Sequence, residues 1–127
     1  MKSLMLIAAL LVCTTAQAQT TKVTPLIAHD LAGGARDEGA ILTVEYAPGA
    51  EDPIHRHNAH VFVYVLEGSI IMQVKGGAPV TLTAGQTFYE GPSDVHVVGR
   101  NASKTQSAKF LAFFVKDKGA PAVLPAE

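Results

Sequence analysis

Apolar and polar residues alternate along most of this chain with a period of two. Leu42, Val44 and Tyr46, for example, fall on one face of an extended segment, and segments 61–66 and 108–119 are dense in β-branched and aromatic residues. Because side chains on a β-strand point alternately to its two faces, this pattern predicts half-buried strands. Outside the N-terminal segment we find no 3.6-residue period. An all-β fold is therefore expected, either a jelly-roll barrel or a sandwich.

Prolines and glycines indicate the organisation near both ends. Residues 20–29 are predicted to form an edge strand, because Pro25 has no amide hydrogen to donate to a strand ladder and belongs at an edge or a bulge. Residues 30–40 are rich in glycine and charge, which predicts a loop. The tail 120–127 carries two prolines and is expected to be extended, either loose or laid on a neighbouring subunit.

The middle of the chain carries a pair of histidines at strand spacing. His55 and His57 are separated by one residue, so on a strand both imidazoles project to the same side and can hold one ion between them. His60 follows closely. It points away from Val61 if the strand has already begun there, but in a turn it could reach the same ion. His60 is therefore a candidate ligand, with a surface or interface role as the alternative.

The spacing around this pair resembles the first motif of the cupin superfamily. That motif is a glycine, five residues, His-x-His, a glutamate four residues after the second histidine and, after six more residues, a glycine. Gly49, His55, His57 and Gly68 occupy the matching positions, whereas Val61 stands in place of the glutamate. The resemblance implies a double-stranded β-helix, the cupin jelly-roll barrel, and it selects the barrel over the sandwich.

A second cupin-like motif begins at Gly85. His96 matches the third metal-ligand position, and the usual asparagine four residues later is Arg100, with Asn101 one place late. Arg100 shares a strand parity with His96, which suggests that it could reach an anionic ligand. The proline and glycine normally found before this histidine are altered, although the loop still contains Pro92.

The resemblance implies that His55, His57 and His96 hold a divalent transition metal, with iron, zinc, manganese, nickel and copper all in consideration. Three neutral ligands would leave the site at +2, which suits an anionic bidentate oxygen ligand such as an enolate or a carboxylate. Glu90 precedes His96 by six residues. It can be interpreted as a ligand, a general base or a solvated loop charge, and we take it as the candidate catalytic residue.

The N-terminal segment has the features of a secretory signal. It contains one lysine, then an apolar run over residues 4–12, and then a small-x-small sequence that ends at Ala18. These features predict a signal peptide over residues 1–18. A lipoprotein attached through Cys13 is the alternative. Residues 19–127 would then form a single cupin barrel domain in the periplasm or outside the cell. Cys13 is the only cysteine, so a metal site in the exported protein must use nitrogen and oxygen ligands.

Charge gives little indication of a macromolecular partner. The formal net charge is −1 and becomes −2 when Lys2 leaves with the signal, so we expect no nucleic-acid or membrane binding by the exported protein. A small-molecule ligand is expected instead. Phe62, Tyr64 and Leu66 form a large apolar set on the outward face of their strand, which favours a homodimer, as is common among small cupins.

Two functions are consistent with these features. The first is a metal-dependent enzyme that acts on a small oxygenated molecule by dioxygenase-, isomerase- or decarboxylase-like chemistry. The alternative is a non-catalytic cupin module that binds a small molecule or a metal. The resemblance alone does not decide between them, because shared folds support many unrelated functions.

Overall fold

Ten β-strands and no helix make up the part of the chain that the computed structural model describes, residues 20–126. The predicted signal peptide, residues 1–18, lies outside these residues. Within the described range, no helix is available that could cross a membrane. The strands are β1 (Thr21–Asp30), β2 (Glu38–Tyr46), β3 (His55–Arg56), β4 (His60–Glu67), β5 (Ser69–Val74), β6 (Val80–Thr83), β7 (Thr87–Glu90), β8 (Val95–Asn101), β9 (Ala108–Lys116) and β10 (Leu124–Pro125).

The strands form two five-stranded antiparallel sheets. The first has the order β1-β2-β9-β4-β7 and the second has the order β10-β3-β8-β5-β6. Alternate residues of strands from both sheets meet in one hydrophobic core, which confirms the predicted all-β jelly-roll barrel. The larger core side chains are Leu42, Val44, Tyr46, Val61, Val63, Val65, Ile70, Met72, Leu82, Phe110 and Phe114.

The first strand has the edge position that its proline predicts. β1 pairs only with β2 in the first sheet, and its register shifts between Pro25 and Ile27. The loop after it is shorter than predicted, spanning 31–37 rather than 30–40. Strand pairing extends to Asp30 and begins again at Glu38, because β9 supplies a partner for every residue of β2.

The tail lies on its own barrel, so neither predicted position for it was correct. Leu124 pairs with Arg56, and Pro125 pairs with His55. Without β10, the two-residue strand β3 would be an edge strand with unpaired backbone groups. The tail covers that edge and thereby approaches the histidine pair.

A bulge in β8 changes which side chains face the interior. His96 and Val98 pair with consecutive residues of β5, so Val97 has no partner there. Asn101 is five positions after His96, and on a regular strand this odd offset would place the two side chains on opposite faces. The bulge brings both side chains inward. It also turns Arg100 away from the face of His96, so the expectation that Arg100 reaches the site was wrong.

Asn101 uses its inward position to join three chain segments. Its side-chain amide donates to the carbonyls of Tyr46, Ala47 and Gln106 at 3.3, 3.1 and 2.8 Å, and the residue is only 3% exposed. Asn101 is therefore a buried hydrogen-bonding residue. It lies one position after the place of the motif asparagine, and the one-residue bulge in β8 accounts for this shift.

Replacing Asn101 with alanine should destabilise the barrel. The substitution leaves buried carbonyl groups without their donor, so we expect the free energy of unfolding to fall by about 2–3 kcal/mol. Urea denaturation would measure this change. Thr105→Ala, at an exposed position of the following loop, is the control and should change the stability by less than about 0.5 kcal/mol. Equal stability of the two variants would contradict this role.

Candidate metal centre

Three histidines converge because β3 and β8 are direct neighbours. His55 pairs with His96 across the two strands, and His57 follows β3 immediately. The chain then turns at Asn58, whose φ of 49° is in the left-handed region that asparagine tolerates. All three histidines are buried, and one nitrogen from each lies within 4.8 Å of the others. The structure thus brings together the three predicted ligands.

Hydrogen bonds define which ring nitrogens of the first two histidines are available. Nδ1 of His55 donates to the carbonyl of Pro53 at 2.8 Å, and Nδ1 of His57 donates to the carbonyl of Ala122 at 2.6 Å. A carbonyl can only accept, so Nδ1 carries the hydrogen in both rings. Their Nε2 atoms face each other at 3.2 Å. Two facing lone pairs repel, so this arrangement requires a cation, either a proton or a metal ion.

Unsatisfied polar atoms surround the same point. Among residues 20–126, Nδ1 and Nε2 of His96 and Oε1 of Glu90 are buried without a hydrogen-bond partner. Such groups are costly in a folded protein unless something binds to them. Imidazole nitrogens and a carboxylate oxygen are donors that suit a divalent transition ion. These residues therefore fit the metal site that the histidine pair and the cupin resemblance predict.

Gly99 makes the space in which the His96 ring lies. A Cβ atom at this position would be 3.0 Å from Cε1 and 3.1 Å from Nε2 of His96, and 3.2 Å from the hydroxyl oxygen of Tyr46. Any larger residue would therefore displace the His96 ring or Tyr46. The lack of a side chain at Gly99 leaves room for the ring of the third histidine.

Glu90 brings a carboxylate to the cluster from the first sheet. It pairs directly with Val61, the residue that replaces the motif glutamate, and it is only 2% exposed. Its Oε1 lies 3.1 Å from Nδ1 of His96, and its Oε2 lies 3.5 Å from Nε2 of His57. A carboxylate is thus present beside the position where the motif lacks one. The interpretation of Glu90 as a solvated loop charge does not hold.

The histidines and Glu90 alter one another's ionisation. Burial opposes the charged form of Glu90, but its interaction with His57 and the nearby charges of His96 and His57 outweigh burial and lower its pKa. Burial likewise opposes protonation of His57, yet the contact with Glu90 raises the pKa of that histidine. For His96, burial dominates and lowers the pKa. His57 therefore holds a proton more readily than a free imidazole does, and His96 holds one less readily.

His60 lies outside this cluster. It is the first residue of β4, so its side chain points to the opposite face from Val61. Its Nδ1 is 2.7 Å from the hydroxyl of Tyr89 on the exterior of the barrel. Because the strand has already begun at His60, the structure does not bring it to the cluster of His55, His57 and His96.

A cavity of about 160 Å³ adjoins the histidines and Glu90. Most of its wall is apolar. The wall also carries a hydrogen-bonded polar group, centred on Asp52, that the sequence did not indicate. The hydroxyl of Tyr46 donates to Asp52, and Oγ1 of Thr21 donates to the other carboxylate oxygen of Asp52 at 2.9 Å. Burial and the Asp52 charge raise the pKa of Tyr46. Alternation placed Tyr46 inside, but no local signal indicated Asp52. The apolar wall includes Val23, Leu42, Val44, Val61, Val63, Met72, Phe110, Ala112, Phe114, Ala122 and Val123.

This fold and site define a jelly-roll barrel with a buried three-histidine centre. Residues 42–114 match the family model of the cupin domain. The chain belongs to the cupin family. No curated protein matches it by sequence.

Several solved structures share the fold. The DMSP lyase DddQ of Ruegeria pomeroyi is 19% identical with a TM-score of 0.62, over 69% of this chain and 43% of the lyase. An oxalate oxidase bound to the substrate analogue glycolate is 21% identical with a TM-score of 0.65, over 86% of this chain and 56% of the oxidase. An RmlC-like cupin of Shewanella frigidimarina is 25% identical with a TM-score of 0.54, over 64% of this chain and 68% of that one. This chain thus spans about half the length of the lyase and the oxidase.

Proposed function

We propose that this protein is a metal-dependent cupin enzyme that acts on a small oxygenated molecule by dioxygenase-, isomerase- or decarboxylase-like chemistry. His55, His57 and His96 would hold a divalent transition metal. The observation that carries the proposal is the 3.2 Å approach of the Nε2 atoms of His55 and His57, each with its Nδ1 hydrogen committed to a carbonyl. A bound ion would supply a Lewis acid that polarises an oxygen of the substrate.

The cavity limits the size and polarity of the substrate. Its volume of about 160 Å³ is close to that of an engineered apolar cavity, about 150 Å³, that binds benzene. A sugar would leave hydroxyl groups without partners along the apolar wall, which is unfavourable. We therefore propose a substrate with a small apolar body and one oxygen-bearing end, such as a carboxylate or an enolate, directed at the histidines.

Glu90 is the residue best placed to accept a proton from such a substrate. Two carboxylates line the cavity, but both oxygens of Asp52 already accept hydrogen bonds, from Thr21 and Tyr46. Oε1 of Glu90 lies 3.1 Å from Nδ1 of His96 but accepts no hydrogen bond among the described residues. Glu90 would take the proton, and the Tyr46–Asp52 pair would orient the substrate from the side of the His96 ring.

A ligand screen tests this function. The zinc- or manganese-loaded protein would be heated with small carboxylates, keto acids and diols, and the same compounds would be assayed for turnover with and without oxygen. We expect at least one compound both to raise the melting temperature and to be converted. Stabilisation without conversion would instead favour the non-catalytic binding module, and no stabilisation by any of these compounds would refute the proposed substrate class.

We also propose a homodimer that forms through the outer face of the first sheet. Phe62 and Tyr64 are each 47% exposed, and the ring of Phe62 packs against Tyr89 and Phe113 at centroid distances of 5.2 and 6.1 Å. These contacts produce a continuous aromatic surface, and such surfaces commonly mediate association.

Tyr64→Glu should convert this dimer to a monomer, because a buried unpaired carboxylate is strongly unfavourable at an apolar interface. Light scattering after size-exclusion chromatography would measure the mass. Thr81→Glu introduces the same charge at an exposed position of β6, in the other sheet, and should leave the mass unchanged. If Tyr64→Glu has the same mass as the unmodified chain, this interface is excluded.

A further inference from the structure

We propose that residues 119–125, which we name the tail clasp, hold His57 in its metal-binding orientation and close the cavity. Metal binding and closure of the clasp would then stabilise each other. The inference rests on the proposed metal site, but it concerns a segment with no metal-binding side chain of its own.

The tail clasp contacts the site at three points. The carbonyl of Ala122 accepts the Nδ1 hydrogen of His57 at 2.6 Å, across 65 positions of sequence. Ala122 and Val123 form part of the cavity wall. Pro125 pairs with His55 in the ladder between β10 and β3. One short segment thus acts on two of the three ligands and on the space beside them.

The Ala122 carbonyl determines what His57 can bind. Since this carbonyl holds the hydrogen on Nδ1, Nε2 of His57 keeps its lone pair for a metal ion. Without the carbonyl, the hydrogen could move to Nε2 and the ring could rotate. Loss of such an outer partner typically costs about 10- to 100-fold in metal affinity. Ala122 is therefore a positioning residue that acts through its backbone.

The contacts that hold the clasp are few enough for it to open while the barrel stays folded. Only the two residues of β10 pair with the sheet, and Val123 is 55% exposed although it also lines the cavity. Gly119, at the start of the clasp, has a φ of 71°, in the left-handed region that favours glycine. Segments with few buried contacts open at low free-energy cost. Opening at Gly119 would uncover the cavity beside His57.

Thermodynamic linkage makes the effect reciprocal. If the closed clasp strengthens metal binding by some factor, the bound metal must favour the closed clasp by the same factor. A segment that only covers the β3 edge would not show this dependence. The inference can therefore be tested by a binding measurement and by an opening measurement.

The binding measurement compares three chains by competition with a chromophoric zinc chelator. A chain that ends at Lys118 lacks the clasp and should bind Zn²⁺ about 10- to 100-fold more weakly than the full chain. A chain that ends at Pro125 keeps the clasp and should bind as the full chain does. Equal affinity in all three would overturn the clasp but leave the metal site intact, whereas no binding by the full chain would overturn both.

The opening measurement uses the full chain and so does not depend on the folding of a truncated one. Hydrogen exchange of a peptide covering 119–126, followed by mass spectrometry, should slow by about 10-fold or more when Zn²⁺ is added. A peptide covering the loop 31–37 serves as the control, and its exchange rate should be the same with and without Zn²⁺. An unchanged exchange rate in 119–126 despite bound zinc would overturn the proposal.

Discussion

Replacing His96 with alanine will remove stoichiometric metal from this protein. The substitution takes away one of three buried imidazoles, and the remaining pair, His55 and His57, lies on one short segment. The loss in affinity should exceed the roughly 10- to 100-fold that removal of an outer-shell partner costs. Elemental analysis after purification without chelators measures it directly, and chelator competition gives the size of the change.

His60→Ala is the matched control for this experiment. His60 also precedes an apolar strand residue in the histidine-rich segment, but it faces the exterior and contacts Tyr89. Its replacement should leave the metal content unchanged. Full metal content in His96→Ala, or loss of metal in His60→Ala, would contradict the assignment of the three ligands.

Replacing Glu90 with glutamine should nearly abolish turnover of any substrate that the screen identifies. The amide has nearly the same size as the carboxylate but cannot accept the substrate proton in the same way, so we expect kcat to fall by about 10²- to 10⁴-fold. Because the three imidazoles remain, metal should still be bound. Measuring kcat and metal content on the same sample separates these two effects.

Glu67→Gln makes the same chemical change at an exposed end of β4 and should leave kcat unaltered. If Glu90→Gln retains the full kcat, Glu90 is not the proton acceptor. If it loses the metal together with the activity, Glu90 is a ligand rather than a base.

The sequence was informative where function depends on spacing along one strand. The alternation of residues predicted the inward faces of β2 and β4, and Pro25 predicted the edge position of β1. The spacing of His55 and His57 predicted a pair on one face, and the resemblance to the second cupin motif added His96 to them. The edge strand, the inward faces and the histidine pair are each encoded within a few neighbouring residues, so the pattern alone reveals them, whereas His96 required the family resemblance. The signal peptide over residues 1–18 stays a prediction.

The remaining parts of the site depend on contacts between distant segments. Glu90 reaches the cluster because β7 pairs with β4 opposite Val61, and no local pattern encodes that register. Arg100 was misplaced because a bulge at Val97 reverses the alternation. The Ala122 carbonyl is a backbone group, so its contact with His57 leaves no trace in residue identity. The sequence therefore indicated the three candidate ligands of a metal but not the groups that orient them.

The most direct test of the metal centre is anomalous diffraction from crystals of the protein purified without chelators, at the absorption edge of whichever metal elemental analysis finds. The prediction is one ion, bonded to Nε2 of His55, to Nε2 of His57 and to a ring nitrogen of His96. A protein that contains no metal and takes none up on titration, or an ion bound elsewhere while these three histidines stay without one, would contradict it.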